Sequence, residues 1–409
     1  MWLINGFLGL MTLGKVRRAT HLQASPLRTR TGTDRQKHLN SRVDLHLGVL
    51  GRLLACLLMI AFSAPAAAAL QLQGTPVASD APVPVVFPRD DGPHDSNVEW
   101  WYFTGHLFSQ EGDRYGFEYV TFRARNGNLE GYVSHFAIAD NPRQRFRYDQ
   151  RLLGAVGLAG DAAALDLDLS GWTMRGGDGQ FALAADMPDY AMRLDADTTK
   201  PAALHDGDGY IDYGNGTASY YYSWTRMDVT GALDLGQGWQ QVSGEAWMDH
   251  QWGDFATYQE GGWNWYSVQL EDRTDVMLYL IRDADGQALR VDGSIISPDG
   301  KLSALGEGDF VVSADGEWTS PETGTTYPSG WTISVPDQEL TMTIQPSLPD
   351  QELDTRATTG VIYWEGEAVV AATHRGRSVA GHGYVELTGY APYEPLDLEN
   401  PVALGTPVP

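Results

Sequence analysis

Eight consecutive residues, Trp247 to Asp254, contain most of the groups that could perform chemistry. They read Trp-Met-Asp-His-Gln-Trp-Gly-Asp, so one histidine lies among two carboxylates and two indoles. Histidine can transfer a proton near neutral pH, a carboxylate can orient it, and an indole face can stabilise a cation. We therefore predict that His250 acts with Asp249 or Asp254 and that Trp252 lies beside the reacting group. The structural alternative is that the two indoles pack at a domain junction while Asp249 and His250 cap a turn.

Strand patterns flank this stretch on both sides. From Glu99 onward, runs of β-branched and aromatic residues alternate with turns rich in glycine and asparagine, and no segment has a sustained helical period. One series of runs ends near Asp254, and a second begins near Gly262. The chain is therefore predicted to be all-β, with two consecutive antiparallel barrels or sandwiches in domains 89–257 and 258–396.

Several predicted strands carry apolar side chains on both faces. Such strands are expected where a sheet is covered on both sides, or where one side lines an apolar cavity. The chain contains 13 Trp, 19 Tyr and 12 Phe, which is compatible with a ligand-holding interior and equally with aromatic packing between domains. The aromatic residues predicted to contact a ligand are Trp100, Trp101, Tyr102, Trp247, Trp263 and Trp265.

Two polar residues share strand faces with apolar ones and are also predicted to lie near a ligand. Glu118 alternates with Val120, so its pKa should be raised, as suits a proton donor, unless an arginine such as Arg123 or Arg226 pairs with it. His135 alternates with small apolar residues, and a hydrogen-bonded core histidine is the alternative there.

Common catalytic and cofactor motifs are absent from the sequence. It contains no Gly-x-Ser-x-Gly elbow, no phosphate-binding or dinucleotide-binding glycine loop, and no His-Glu-x-x-His. His94-Asp95 and His205-Asp206 lie in sequences typical of polar turns. We predict no metal site and no bound cofactor.

The N-terminal part of the chain predicts export. Residues 53–69 follow the basic Arg52 and join a short apolar run to an alanine-rich tail, as a signal peptide does. Residues 1–52 are basic and are interpreted as a mis-assigned or disordered extension, 70–88 as a linker and 397–409 as a tail. The single cysteine, Cys56, lies in the signal segment, where lipidation is the alternative, so the exported part has no thiol for disulfides, catalysis or metal binding.

The charge of the chain restricts its partners. Its net charge is −25 at neutral pH. Such a protein repels nucleic acid and anionic lipid, and we expect a solvent-exposed monomer whose partner is an apolar small molecule or lipid. Transient contact with a membrane or an envelope transporter is compatible with export.

Five motifs occur in order along residues 90–393. They are Glu99-Trp100-Trp101-Tyr102, the segment from Ala218 to Ser223, the segment from Gly244 to Gly253, Tyr363-Trp364-Glu365-Gly366, and the segment from Gly383 to Tyr390. Together they resemble the AttH and carotenoid 1,2-hydratase family. The resemblance implies two lipocalin-like β-barrel domains with a pocket at or near their junction. Hydratases of the family add water across a terminal double bond of an acyclic carotenoid without a cofactor.

The resemblance also implies roles for individual residues. The family's His-x-Trp element falls on His250 and Trp252, as proton donor and carbocation stabiliser. Its downstream Tyr-x-Asp pair corresponds to Tyr279, although no aspartate follows two residues on. We expect an exported protein that binds an elongated apolar ligand, isoprenoid or acyl, and acts on it as a hydro-lyase or a hydrolase. The alternatives are a non-catalytic lipid carrier, an envelope or attachment factor, and a secreted ester hydrolase.

Overall fold

The computed structural model describes residues 82–126, 129–154, 164–214, 216–254 and 261–393. Outside them lie Cys56, the predicted extension (1–52), the signal peptide (53–69), most of the linker (70–88) and the tail (397–409). The described residues form twenty-two β-strands and four short 3₁₀ turns, without an α-helix. No helix in this part of the chain is long and apolar enough to cross a bilayer.

Twelve strands form the first antiparallel sheet. In chain order they are β1 (Val98–Ser109), β2 (Arg114–Asn126), β3 (Leu129–Asp140), β4 (Arg145–Gly154), β5 (Leu165–Leu169), β6 (Trp172–Gly177), β7 (Gln180–Asp186), β8 (Ala191–Thr198), β9 (Ala203–Leu204), β10 (Tyr210–Gly214), β11 (Thr217–Asp234) and β12 (Trp239–Asp254). Their order in the sheet is β4-β3-β2-β1-β12-β11-β8-β7-β6-β5, with β9 and β10 paired to β11. Because β4 and β5 approach each other, this sheet nearly closes on itself.

Ten strands form the second antiparallel sheet. They are β13 (Trp263–Leu270), β14 (Asp275–Arg282), β15 (Ala288–Ile296), β16 (Leu302–Leu305), β17 (Val311–Thr319), β18 (Thr326–Val335), β19 (Leu340–Pro346), β20 (Glu352–Asp354), β21 (Ile362–His374) and β22 (Arg377–Leu387). Their order is β16-β15-β14-β13-β22-β21-β19-β18-β17, with β20 paired to β21. The predicted all-β fold of two consecutive antiparallel barrel-type sheets, lipocalin-like by resemblance, is confirmed.

Each sheet encloses an apolar core of its own. Trp101, Phe117 and Trp172 are buried inside the first sheet, and Trp331 and Trp364 inside the second. Burial of a large apolar side chain stabilises a fold by on the order of 2 kcal/mol, so these rings hold each sheet curved around its core.

The outer faces of the two sheets pack against each other. Side chains of β1, β2, β3, β11 and β12 contact side chains of β13, β14, β21 and β22 in this interface. Since successive strand residues point to opposite faces, a strand here has one face in its own core and the other in the interface. This double burial explains why Trp100, Trp101 and Tyr102 can all be aromatic in a single strand.

Candidate active-site cleft

A cleft opens between the outer faces of the two sheets. The centres of water-sized spheres can occupy about 90 Å³ of it, so the cleft is narrow and most of the wider space at its mouth is open to solvent. Within the described residues its walls are formed by Trp100, Tyr102, Phe122, Tyr213, Tyr221, Asp249, Gln251, Trp263, Trp265, Tyr279, Ile281 and Glu386. Eight of these twelve side chains are aromatic, two are carboxylic and none is basic. Such walls suit an apolar ligand, and they also suit a positive charge.

The alternation of β12 decides which of its side chains reach the cleft. Asp249 and Gln251 line the cleft, and Trp247 packs on the same face of the strand. His250 and Trp252 point the other way, into the first sheet. The strand continues to residue 254, so the turn interpretation of this stretch is corrected. Adjacent residues of a strand cannot share a face, and Asp249 and His250 therefore serve different surroundings.

Asp249 is a buried carboxyl group held by three donors. Its Oδ2 accepts a hydrogen bond of 2.6 Å from the Tyr221 hydroxyl, and its Oδ1 accepts one of 2.6 Å from Trp247 Nε1 and another from the Ser223 hydroxyl. Burial raises the pKa of Asp249 to about 6, although the three donors favour the charged form. The group is therefore mostly ionised at neutral pH and can accept a proton from water.

Glu386 is the second carboxyl group of the cleft, and it has a single donor. Trp263 Nε1 donates to its Oε2 at 2.8 Å. Burial raises the pKa of Glu386 to about 7, and the charge of Asp249 adds to this rise. Glu386 thus keeps its proton to a higher pH than an ordinary glutamate and can donate it near neutral pH. Two carboxyl groups whose surroundings separate their pKa values can provide an acid and a base together.

Tyr279 contributes its ring rather than an acid to the cleft. Its hydroxyl donates to Asp292 Oδ2 at 2.8 Å. Burial raises the pKa of Tyr279 well above its ordinary value, so the phenol stays neutral. The missing aspartate of the Tyr-x-Asp pattern is replaced by Ile281, which also lines the cleft.

His250 belongs to a hydrogen-bonded cluster inside the first sheet. Its Nε2 lies 2.9 Å from Glu99 Oε1, and its Nδ1 lies 3.1 Å from the Tyr222 hydroxyl. His94 approaches the same Glu99 oxygen at 2.7 Å and stacks on Trp252 with ring centroids 3.8 Å apart. Burial opposes ionisation of Glu99, but hydrogen bonds from His250 and His94 outweigh it and lower the pKa of Glu99 to about 2. His250 and Trp252 therefore tie the segment that carries His94 onto the first sheet.

The structure distributes the predicted site residues over several places. The cleft walls contain Asp249, Tyr279, Trp100, Tyr102, Trp263 and Trp265. The interface outside the cleft contains Trp247, Glu118 and His135. The interior of the first sheet contains Trp101, His250 and Trp252. Asp254 is exposed at the end of β12, where it accepts a hydrogen bond of 2.8 Å from the Asn97 backbone. The carboxylate partner of His250 is Glu99, in place of the predicted Asp249 or Asp254.

Tyr363 connects Glu118 to His135 through two hydrogen-bond contacts. Glu118 Oε1 lies 3.1 Å from the Tyr363 hydroxyl, and that hydroxyl lies 2.8 Å from His135 Nδ1. The two arginines that the sequence offered as partners of Glu118 form ion pairs elsewhere, Arg123 with Glu99 and Arg226 with Asp275. Burial raises the pKa of Glu118 to about 8, in the direction that the sequence predicted. His135 is fully buried and hydrogen-bonded in the interface between the sheets.

Six cleft residues were not predicted as site residues from the sequence: Phe122, Tyr213, Tyr221, Gln251, Ile281 and Glu386. Glu386 shares its strand face with Tyr384, while Val385 between them enters the core. A carboxylate in an apolar strand is the same sequence pattern that drew attention to Glu118. If the strand alternation of β12 and β11 is extended past their most apolar residues, it predicts that Gln251 and Tyr221 face the cleft. Tyr213 lies on a strand too short to give a pattern.

Two groups of metal-ligand type come together from separate strands. They are His94, Glu99 and His250, and His106, Glu367 and His382, and in each group one ligand atom per residue lies within 4.8 Å of the others. Sequence spacing could not reveal them. In each group an arginine already pairs with the carboxylate, Arg123 with Glu99 at 2.9 Å and Arg114 with Glu367 at 3.0 Å. These positive charges oppose a metal cation. His205 lies in a short 3₁₀ turn (His205–Gly207), but its side chain is buried, with Nε2 2.7 Å from the Ser223 hydroxyl.

The sequence model of the AttH-like family matches residues 78–390, which is most of the chain. The chain belongs to the AttH-like family. A crystal structure described as AttH from Nitrosomonas europaea is similar to this AttH-like protein, with 29% identity and a TM-score of 0.69. The match covers 76% of this chain and 99% of that one.

A more distant structure has the same fold. Kievitone hydratase from Nectria haematococca is 15% identical with a TM-score of 0.60, over 77% of this AttH-like chain and 95% of its own. At that identity the likeness shows the fold alone. A search of curated protein sequences gave no match.

Proposed function

We propose that this AttH-like protein binds a neutral, elongated apolar molecule in the cleft and adds water across one of its C=C bonds without a cofactor. One observation carries the proposal. Eight aromatic rings surround two carboxyl groups, and the pKa values of about 6 for Asp249 and about 7 for Glu386 suit a base and an acid near neutral pH.

The proposed reaction begins with a proton transfer. Protonated Glu386 gives its proton to one alkene carbon, the π-bond electrons form the new C–H bond, and the neighbouring carbon becomes a carbocation. The faces of Trp100 and Trp265 stabilise this cation electrostatically. Asp249 then removes a proton from water as the water oxygen bonds to the cation. The product is an alcohol, and a proton passing from Asp249 back to Glu386 closes the cycle.

The charges of the cleft select the ligand class. Carboxylate or phosphate ligands would meet Asp249 and Glu386, and among the described residues that line the cleft no lysine, arginine or histidine would offset the repulsion. Neutral isoprenoids and polyenes carry no such penalty. Free fatty acids and prenyl phosphates are therefore disfavoured, while a neutral acyl ester remains within the proposed class.

Export and the monomeric state are part of this proposal. They are supported by the signal-like residues 53–69 and by the net charge of −25, which keeps copies of the chain apart. N-terminal sequencing of the protein recovered from cells tests export, because cleavage would begin the mature chain at about residue 70. Light scattering of that material tests the monomer.

A mass-spectrometric assay tests the activity. The purified full chain is incubated with acyclic polyenes and with long-chain esters, and both the products and any co-purified ligand are weighed. Hydration gives a product heavier by one water. A cleaved ester would indicate a hydrolase instead, and ligand that binds and is recovered unchanged would indicate a carrier.

A further inference from the structure

Three glutamates occupy the interface between the sheets, beginning at the cleft. Glu386 lines the cleft, Glu365 faces it directly across β21 and β22, and Glu118 lies on β2 of the opposing sheet. Directly opposed side chains on neighbouring antiparallel strands are about 5 Å apart, where two like charges repel. The three carboxyl groups bond to Trp263, Tyr102 and Tyr363 respectively, and these neutral partners do not offset a charge.

The hydrogen bonds that lead from the surface towards Glu118 can be assigned by following single protons. The half-buried Gln150 donates its amide to the Asp354 carbonyl at 2.9 Å, so its oxygen accepts from the Thr358 hydroxyl at 2.6 Å. Thr358 has no second proton, and His135 Nε2 at 3.2 Å must therefore donate to it. Burial lowers the pKa of His135 to about 3, so the ring is neutral and its Nδ1 is an acceptor.

The last contact in this series requires a proton on Glu118. Tyr363 donates its only proton to His135 Nδ1 at 2.8 Å. It then has none for Glu118 Oε1, which lies 3.1 Å from its oxygen. The proton of that contact belongs to Glu118, which donates to Tyr363 as an uncharged acid.

Glu365 shows the same requirement from the other side. Tyr102 donates to its Oε1 at 2.7 Å, while Oε2 of Glu365 and Oε2 of Glu118 are buried without a hydrogen-bond partner. A buried charged oxygen without a partner carries a desolvation penalty that no hydrogen bond offsets. Burial raises the pKa of Glu365 well above its ordinary value, and the charges of Glu386 and Glu118 act in the same direction.

We propose that Glu118 and Glu365 are uncharged acids in the folded protein and form, with Glu386, one coupled proton store behind the cleft. An apolar ligand that fills the cleft shuts out water, and the store then keeps Glu386 supplied with a proton until the proton that Asp249 takes from water returns and refills the store. This consequence rests on the proposed function, whereas the store itself does not. The titratable groups that face the three glutamates are Tyr102 on β1, His135 on β3, Asp249 on β12, Tyr363 on β21 and Tyr384 on β22.

Infrared spectroscopy tests the store on the full chain without any substrate. Protonated carboxyl groups have a C=O stretch that is distinct from that of carboxylates and that shifts in heavy water. At pH 7 the wild-type protein should show such bands, and Glu118→Gln and Glu365→Gln should each remove one of them. The amide replaces a neutral acid in size and hydrogen bonding, so both variants are expected to fold.

Glu367→Gln is the matched control, two residues from Glu365 on the same strand face. Burial opposes ionisation of Glu367, but the hydrogen bond from His106 and the charge of Arg114 outweigh it and lower its pKa to about 2. This variant should leave the protonated bands unchanged. Bands that persist in both Glu118→Gln and Glu365→Gln would overturn the proposal.

Coupling and stability provide two further readouts. In Glu386→Gln the bands of Glu365 should titrate at lower pH, because the charge of Glu386 no longer opposes their ionisation. An unchanged midpoint would exclude coupling.

Glu118 has a folded pKa of about 8, above its unfolded value near 4.5, so the unfolded chain binds fewer protons between these two values. Across that window the free energy of unfolding should fall less steeply with rising pH in Glu118→Gln than in wild type, and the difference in slope should correspond to one proton. Equal slopes would contradict an uncharged Glu118.

If the bands and slopes behave as expected but no polyene is hydrated, the store stands and the proposed function fails. If hydration occurs but Glu118→Gln and Glu365→Gln retain every band, the function stands and the store fails.

Discussion

Asp249 and Glu386 are the same kind of group in the same cleft, and their hydrogen bonds give them different tasks. Three donors converge on Asp249, whereas only Trp263 reaches Glu386. The carboxylate with more hydrogen-bond donors keeps its charge and serves as the base, and the other keeps its proton and serves as the acid.

The first prediction concerns the pH dependence of turnover. The rate should fall below about pH 6, as the base Asp249 gains a proton, and above about pH 7, as the acid Glu386 loses its own. Asp249→Asn should remove the acid limb and lower kcat by on the order of 10²–10⁴-fold. Initial rates measured from pH 4 to 9 check this, and an unchanged acid limb in the variant would count against Asp249 as the base.

The second prediction separates His250 from the cleft. His250→Gln removes a buried bond to the charged Glu99 and should lower the free energy of unfolding by about 2 kcal/mol. His374→Gln is the control, because its bond to Asp272 lies nearer the surface and should contribute less than about 1 kcal/mol. Denaturant unfolding measures both. Full stability with abolished turnover in His250→Gln would instead favour the role that the family resemblance implies for this residue.

Strand alternation explains how much of the site could be predicted. The aromatic pairs Trp100 and Tyr102, and Trp263 and Trp265, were identified because their strands are apolar on both faces. The polar residues around Asp249 and His250 are also compatible with a turn, and that interpretation hides their separation onto opposite faces of β12. Glu386 could not be placed beside Asp249, because their approach depends on how two separate sheets pack.

The third prediction concerns a glycine in β21. A Cβ on Gly366 would lie 1.9 Å from the ring of Trp364, which is buried in the second core. Gly366→Ala should therefore displace the ring and lower the free energy of unfolding by about 1–3 kcal/mol. Gly316→Ala on the exposed strand β17 is the matched control, since its Cβ would meet only a backbone oxygen at 3.3 Å. Equal stabilities of the two variants would show that Trp364 moves aside freely.

The two sheets are held together by buried charges as well as by aromatic packing. Asp275 on β14 accepts from Lys200 Nζ at 2.7 Å and from Arg226 Nη2 on β11 at 2.6 Å. All three side chains are almost fully buried. This cluster fixes one sheet against the other, and the width of the cleft depends on that position.

The fourth prediction tests this junction. Asp275→Asn leaves the buried Lys200 without its carboxylate and Arg226 with only Glu245, which should cost about 3–5 kcal/mol of stability and weaken ligand binding in the cleft. Asp272→Asn, in the preceding turn, removes only a partly exposed pair and serves as the control. Calorimetry and titration with a neutral fluorescent apolar probe measure the two effects. Unchanged probe affinity in a destabilised Asp275→Asn would show that the cleft does not depend on the cluster.

The central claim is that Glu386 delivers the proton that starts water addition in the cleft. The most direct measurement is the initial rate of water-adduct formation by Glu386→Gln beside wild type and Glu367→Gln, on whichever neutral polyene the mass-spectrometric assay identifies. The rate of Glu386→Gln should fall by on the order of 10²–10⁴-fold while the affinity for the polyene stays close to that of wild type. Glu367→Gln should keep the wild-type rate. Hydration by Glu386→Gln at the wild-type rate would contradict the claim.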